Sequence, residues 1–143
     1  MAIWQLNFQL IPIDGGHYDE HALLSKNSIS ILSEELPPNV SWCVEDKLFG
    51  CLDTTCVEIC FFDSEIDEIS VRLDITNLCK KQINSIVNFA IANNLQILYK
   101  EKKLEVSMDN ICGIIQDSDA LRYINNPKQF LTRLSQGDES VDS

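Results

Sequence analysis

Apolar and polar residues alternate along this chain at two periods, and the changes between them outline its elements. Trp4, Leu6, Phe8 and Leu10 alternate with Gln5, Asn7 and Gln9, which predicts a first strand with one buried side. Cys56 to Phe62 predicts another strand and Asp63 to Asp67 an acidic loop. Glu68 to Ile75 then alternates strictly, with Ile69, Val71, Leu73 and Ile75 on one face and Ser70, Arg72 and Asp74 on the other. After Thr76-Asn77, a predicted N-cap, the period becomes helical. Cys79, Ile83, Ile86, Val87 and Ala90 share a stripe, while Lys80, Asn84, Ser85 and Asn88 lie away from it. Asn93-Asn94 predicts a left-handed end to that helix.

The remaining segments are placed around this hairpin and helix. Pro12 to Gly16 supplies a turn. Tyr18 to about Leu36 reads as helical, with a break at Asn27-Ser28 and a stop at Leu36-Pro37-Pro38, because a residue before proline avoids the helical region. Residues 40 to 55 show no clean period; Trp42, Val44, Leu48 and Phe49 are expected to tuck under the sheet, and Gly50 to allow a tight turn. Leu95 to Tyr99 predicts a strand, Lys100 to Lys103 a turn and Leu104 to Met108 its return. From Asp109 short helical pieces are expected, the first capped by Asp109 and the last opened by Asn126-Pro127. Phe130, Leu131 and Leu134 then form an apolar edge, expected to cover Leu78 and Phe89, which lie off the main stripe of the long helix and would otherwise meet another chain.

Together these elements predict one α+β domain over residues 1–136 and a disordered acidic tail over 137–143. The expected sheet is antiparallel-dominated, with four to five strands and helices on one face. Its order follows the ferredoxin-like βαββαβ plan, with a helical C-terminus added.

Composition adds one strong feature. Among 143 residues, 22 Asp and Glu stand against 11 Lys and Arg, a formal net charge of −11. A field of that sign repels phosphate backbones and anionic headgroups, which argues against nucleic-acid or membrane partners, and it attracts basic proteins. Its plainest role is solubility. The N-terminal residues lack the basic region and apolar run of a secretory signal, and no stretch approaches the roughly 20 apolar residues of a membrane span. Of six cysteines, Cys56 and Cys60 lie on a predicted strand and Cys79 on a helix stripe, and the set therefore reads as reduced thiols in a cytoplasmic protein. The sequence leaves open a monomer or a homodimer.

Candidate chemistry is sparse. His17-Tyr18-Asp19-Glu20-His21 fits a zinc-protease pattern in which two imidazoles four residues apart share an ion beside a glutamate base. His17, Glu20 and His21 follow Asp14-Gly15-Gly16, however, and the chain has no further histidine, so the motif reads first as a solvated turn. Cys51, Cys56 and Cys60 lack the close-pair spacing of structural zinc sites and read as core residues. No nucleophile elbow, phosphate-binding loop or dinucleotide motif is present, so neither a catalytic residue nor a cofactor is assigned. The carboxylates remain. Asp63, Glu65, Asp67 and Glu68 crowd the hairpin loop, and Glu45-Asp46 form a smaller group. These six are the candidate docking residues for a basic partner, against the simpler reading of a solvated loop guarding a strand end. Arg72 is expected to pair with Glu58 across the hairpin.

The strand from Trp4 into Leu10-Ile11-Pro12, with Trp42, Phe49-Gly50, Val71-Arg72-Leu73-Asp74, Asn126-Pro127 and Phe130-Leu131, resembles small acidic bacterial immunity proteins. That resemblance implies a cytoplasmic binder that neutralises a cationic toxin by occlusion, without turnover. It carries over no site residue. The alternatives from other classes are a metal-dependent hydrolase using His17, Glu20 and His21, and an acidic adaptor subunit of a larger assembly.

Overall fold

The computed structural model describes residues 5–41 and 45–118. Strand β1 (Gln5–Pro12) is followed by the short helices α1 (Glu20–Leu23) and α2 (Lys26–Ser33). Three strands come next, β2 (Pro38–Asn39), β3 (Lys47–Gly50) and β4 (Cys56–Phe62). The long strand β5 (Glu65–Asp74) leads through a 3-10 turn into α3 (Lys80–Ala92). Strands β6 (Leu95–Tyr99) and β7 (Lys102–Leu104) and helix α4 (Met108–Asp117) complete the described chain. The strands form one antiparallel sheet in the order β2-β3-β4-β5-β1-β6-β7.

The fold is α+β and antiparallel, but its sheet has seven strands instead of the expected four to five. The additional pieces are short, and two to four residues give alternation too few repeats to register. β2 and β3 come from the region without a clean period. β7 shares only Leu104 with its predicted return strand: the turn is tighter than expected, so Lys102 and Lys103 already pair, and Met108 belongs to α4.

One face of the sheet carries the core. Leu6, Phe8 and Leu10 of β1, Val57 and Ile59 of β4, Ile69, Val71 and Leu73 of β5, and Leu95 and Ile97 of β6 are all buried. Against them pack Leu32 of α2, Ile83, Ile86, Phe89 and Ala90 of α3, and Ile111, Ile114 and Ile115 of α4, all within one cluster. Leu78 and Phe89 are fully buried in it. Each large apolar side chain withdrawn from water in this way contributes about 1.5–3 kcal/mol before entropy is counted.

Local chemistry sets the boundaries, in places differently from the sequence expectation. Asp74, not Thr76-Asn77, makes the cap before α3: its carboxylate accepts the Thr76 N–H at 3.0 Å and closes the 3-10 turn. Helix α3 itself begins at Lys80 without a side-chain cap. The break in the first helical region falls at Leu24-Ser25, where the Ser25 hydroxyl accepts the Ser28 N–H and starts α2. Ser107, two residues before the expected Asp109, caps α4. Asn94 adopts the left-handed conformation after α3, at φ 54°. Both hairpins turn through two residues at positive φ, Asp63-Ser64 and Lys100-Glu101, as two-residue connections require. The predicted helical end at Asn126-Pro127 and Phe130, the indole-bearing Trp4 and Trp42, and the acidic tail lie outside the described residues.

Candidate functional site

The sheet's other face is polar, and its two ends differ. Alternation along β4 puts Cys56, Glu58 and Cys60 on this face, and the ladder sets them opposite Arg72, Ser70 and Glu68 of β5. At the Cys56 end the loop 51–55 closes over the sheet. Gln5 Nε2 donates to the Leu52 and Thr54 carbonyls at 3.2 and 2.8 Å, and Arg72 Nη1 donates to Leu52 O at 3.1 Å. Arg72 is therefore turned toward the loop. The predicted Arg72–Glu58 pair is not made, because the register places Cys56 opposite Arg72, and Glu58 instead accepts the Ser41 hydroxyl at 2.8 Å.

At the Cys60 end, acids collect. The β4–β5 register shifts between Cys60 and Phe61: Cys60 faces Glu68 and Phe61 faces Ile66, so Asp67 is the extra residue of a bulge. Glu68 is half-buried and accepts Gln9 Nε2 at 2.6 Å. Asp46, just before β3, reaches across to accept the Phe61 N–H at 2.9 Å. The ligand atoms of Asp46, Glu58 and Cys60 all lie within 4.8 Å of one another. Burial first, and then Glu58, Asp46, Glu68 and Asp67, push the Cys60 thiol up to about 12. Cys56, nearer the guanidinium, is pushed up by burial to about 11, with Arg72 acting in the opposite sense.

Both predicted acidic groups thus contribute to one end of one face. Asp46 comes from the smaller group, and Asp67 and Glu68 from the hairpin group. Asp63 occupies the hairpin turn, Glu65 is exposed beside it, and Glu45 is exposed next to Asp46. Phe62, at 73% exposure, stands among them as a large apolar side chain in water. Sequence reading missed Glu58 and Cys60 as members of this group. The signal was available: both lie on the polar side of a seven-residue strand, but Asp46 is distant in sequence and only the ladder brings it there.

The histidine motif takes a different form. Helix α1 has four residues, and His17 lies before its cap, so the two imidazoles do not share a helical face. Asp19 caps α1 through the Ala22 N–H, and Glu20 Oε1 accepts the Ile66 N–H at 2.9 Å. His17 lines two shallow clefts, one of 410 Å³ with Asp14, Tyr18 and Asn93, and one of 290 Å³ with Glu20 and Glu65. Among the described residues the group with three converging metal-ligand atoms is Asp46, Glu58 and Cys60, not these.

The five described cysteines are unpaired thiols. No helix among the described residues is long and apolar enough to cross a membrane. No family model, curated protein or solved structure matches the chain.

Proposed function

We propose that the protein acts by binding, without turnover, as a cytoplasmic acidic inhibitor of the immunity kind that occludes a cationic protein. The observation that carries this reading is the gathering of Asp46, Glu58, Asp67 and Glu68 around Cys60 at one end of the polar sheet face. A concentrated negative patch on a rigid sheet steers a basic partner to one orientation, which evenly scattered acids do not. Phe62, exposed at the rim of the patch, adds the apolar anchor that a stable interface needs beside its charges. The supporting frame reads as a ferredoxin-like βαββαβ unit extended at both edges. What supports this is the central order β4-β5-β1-β6, with helices following β1 and β5.

The test is a comparison of baits. The wild-type chain and a variant with Asp63, Glu65, Asp67 and Glu68 changed to lysine are immobilised and offered the same host lysate. A basic protein that is retained by wild type, eluted by salt and lost on the variant is the expected result. Equal retention of that protein by both baits would remove the acidic face from its recognition.

A further inference from the structure

The donor atoms of Asp46, Glu58 and Cys60 converge on one point, from a loop end and from alternate positions of a single strand. Two bonds from outside the trio fix the carboxylates. Phe61 N–H holds one oxygen of Asp46, and the Ser41 hydroxyl holds one oxygen of Glu58. Each bond orients the second oxygen of its carboxylate, as outer-shell partners do around a bound ion. The geometry points to a divalent-cation site formed by Asp46, Glu58 and Cys60, of a kind suited to zinc.

The donor set selects the ion. A thiolate with two carboxylates is too soft a combination for calcium or magnesium, which take oxygen donors throughout. Zinc accepts sulfur at about 2.3 Å and carboxylate oxygen at about 2.1 Å, so its tetrahedral ligand atoms stand roughly 3.4–3.6 Å apart. The trio's ligand atoms already lie within 4.8 Å of one another. A solvent molecule completes the fourth position. The local charge favours the same occupant. Glu68 stands opposite Cys60 in the ladder and Asp67 is the bulge residue beside it, so a dication here sits among further acids. On binding, the Cys60 S–H bond breaks, its electron pair forms the S–Zn bond and the proton passes to solvent. Affinity therefore rises with pH. The partly buried position shields the site while leaving it open to an ion from solution.

The test uses the reduced, metal-free full chain, titrated with zinc against a chromophoric chelator and separately with cobalt(II) by absorbance. One equivalent of zinc is expected, with at least about tenfold weaker binding in Cys60→Ser and in Glu58→Gln. Cobalt is expected to give a thiolate charge-transfer band that disappears in Cys60→Ser and persists in Cys112→Ser. Asp46→Asn, which keeps an acceptor for Phe61, provides a folded variant that should also bind more weakly. Substoichiometric zinc binding overturns the site, as does a cobalt–thiolate band that survives Cys60→Ser or an affinity unchanged in Glu58→Gln and Asp46→Asn. None of these readouts involves a protein partner, so this result and the bait comparison stand or fall separately.

Discussion

Asp46 and Phe61 are joined past the end of β3, where the aspartate carboxylate accepts the Phe61 N–H at 2.9 Å. β3 begins at Lys47, opposite Ile59, so no backbone carbonyl of β3 faces Phe61. The side chain stands in for the missing ladder partner. Asp46→Ala leaves a partly buried N–H without its acceptor and is expected to cost about 1–2 kcal/mol, while Asp46→Asn costs less because its carbonyl oxygen still accepts. Urea denaturation of the two variants beside wild type measures the difference. Equal stability of Ala and Asn would show that the bond contributes nothing.

Cys60 and Cys56 make stability fall at alkaline pH. Their thiols are pushed up to about 12 and about 11 from an ordinary 9, chiefly by burial. An unfolded chain therefore loses these protons first, and the native state binds more of them between pH 9 and about 11 to 12. The contribution is complete below pH 9 and declines as pH rises through that window. Tyr18, also raised by burial, adds to the decline above pH 10. Denaturation midpoints of wild type and a Cys56→Ala/Cys60→Ala variant, measured from pH 7.5 to about 10.5, should converge toward high pH. Parallel curves would mean that the two thiols titrate alike in both states.

The residues that were legible and those that were not differ in how far apart their partners lie. β1, β4, β5 and α3 each carry enough turns or alternations to declare themselves, and most of their buried apolar residues are the ones the periodicity assigns, although Gln5, Asp74, Ser85 and Phe89 are buried as well and Val87 is only half-buried. Caps were less legible, because Asp74 and Thr76 are both good capping residues and only the chain's path selects between them. The acidic patch was half legible. Composition exposes carboxylates, but nothing local says that Asp46 meets Glu58, or that a bulge at Asp67 turns the second acidic group onto the same face. Arg72 was misassigned for the same reason: its partner, the Leu52 carbonyl, lies in a loop without a pattern.

Gly50 is required by its conformation and by its neighbour. Its φ of 93° suits glycine alone, and an added Cβ would stand 2.4 Å from the Thr55 carbonyl oxygen, a backbone atom that cannot swing aside. Gly50→Ala is expected to destabilise by about 3 kcal/mol or more, combining a disfavoured φ with a displaced loop. That loop carries the carbonyls bound by Gln5 and Arg72, so amide exchange around Leu52 and Thr54 should accelerate as well. A variant with wild-type stability would mean that the loop relaxes freely.

Ser28 and Asn93 tie α2 to the end of α3. The buried Ser28 hydroxyl donates to the Ala22 carbonyl at 2.7 Å and accepts Asn93 Nδ2 at 3.1 Å, and the same amide donates to Phe89 O at 2.8 Å. One residue thus satisfies the last turn of α3 while the other joins α1 to α2, and each depends on the other for one bond. Removing either partner leaves a partly buried polar atom short of a bond, so Ser28→Ala and Asn93→Ala should each cost about 1 kcal/mol. The double variant removes both ends together and should cost less than the sum, with a coupling of about 0.5–1.5 kcal/mol. A double-mutant cycle by chemical denaturation measures that coupling directly. Strict additivity would show that the two side chains stabilise their own helices independently, and that α2 and α3 are held together by apolar packing alone.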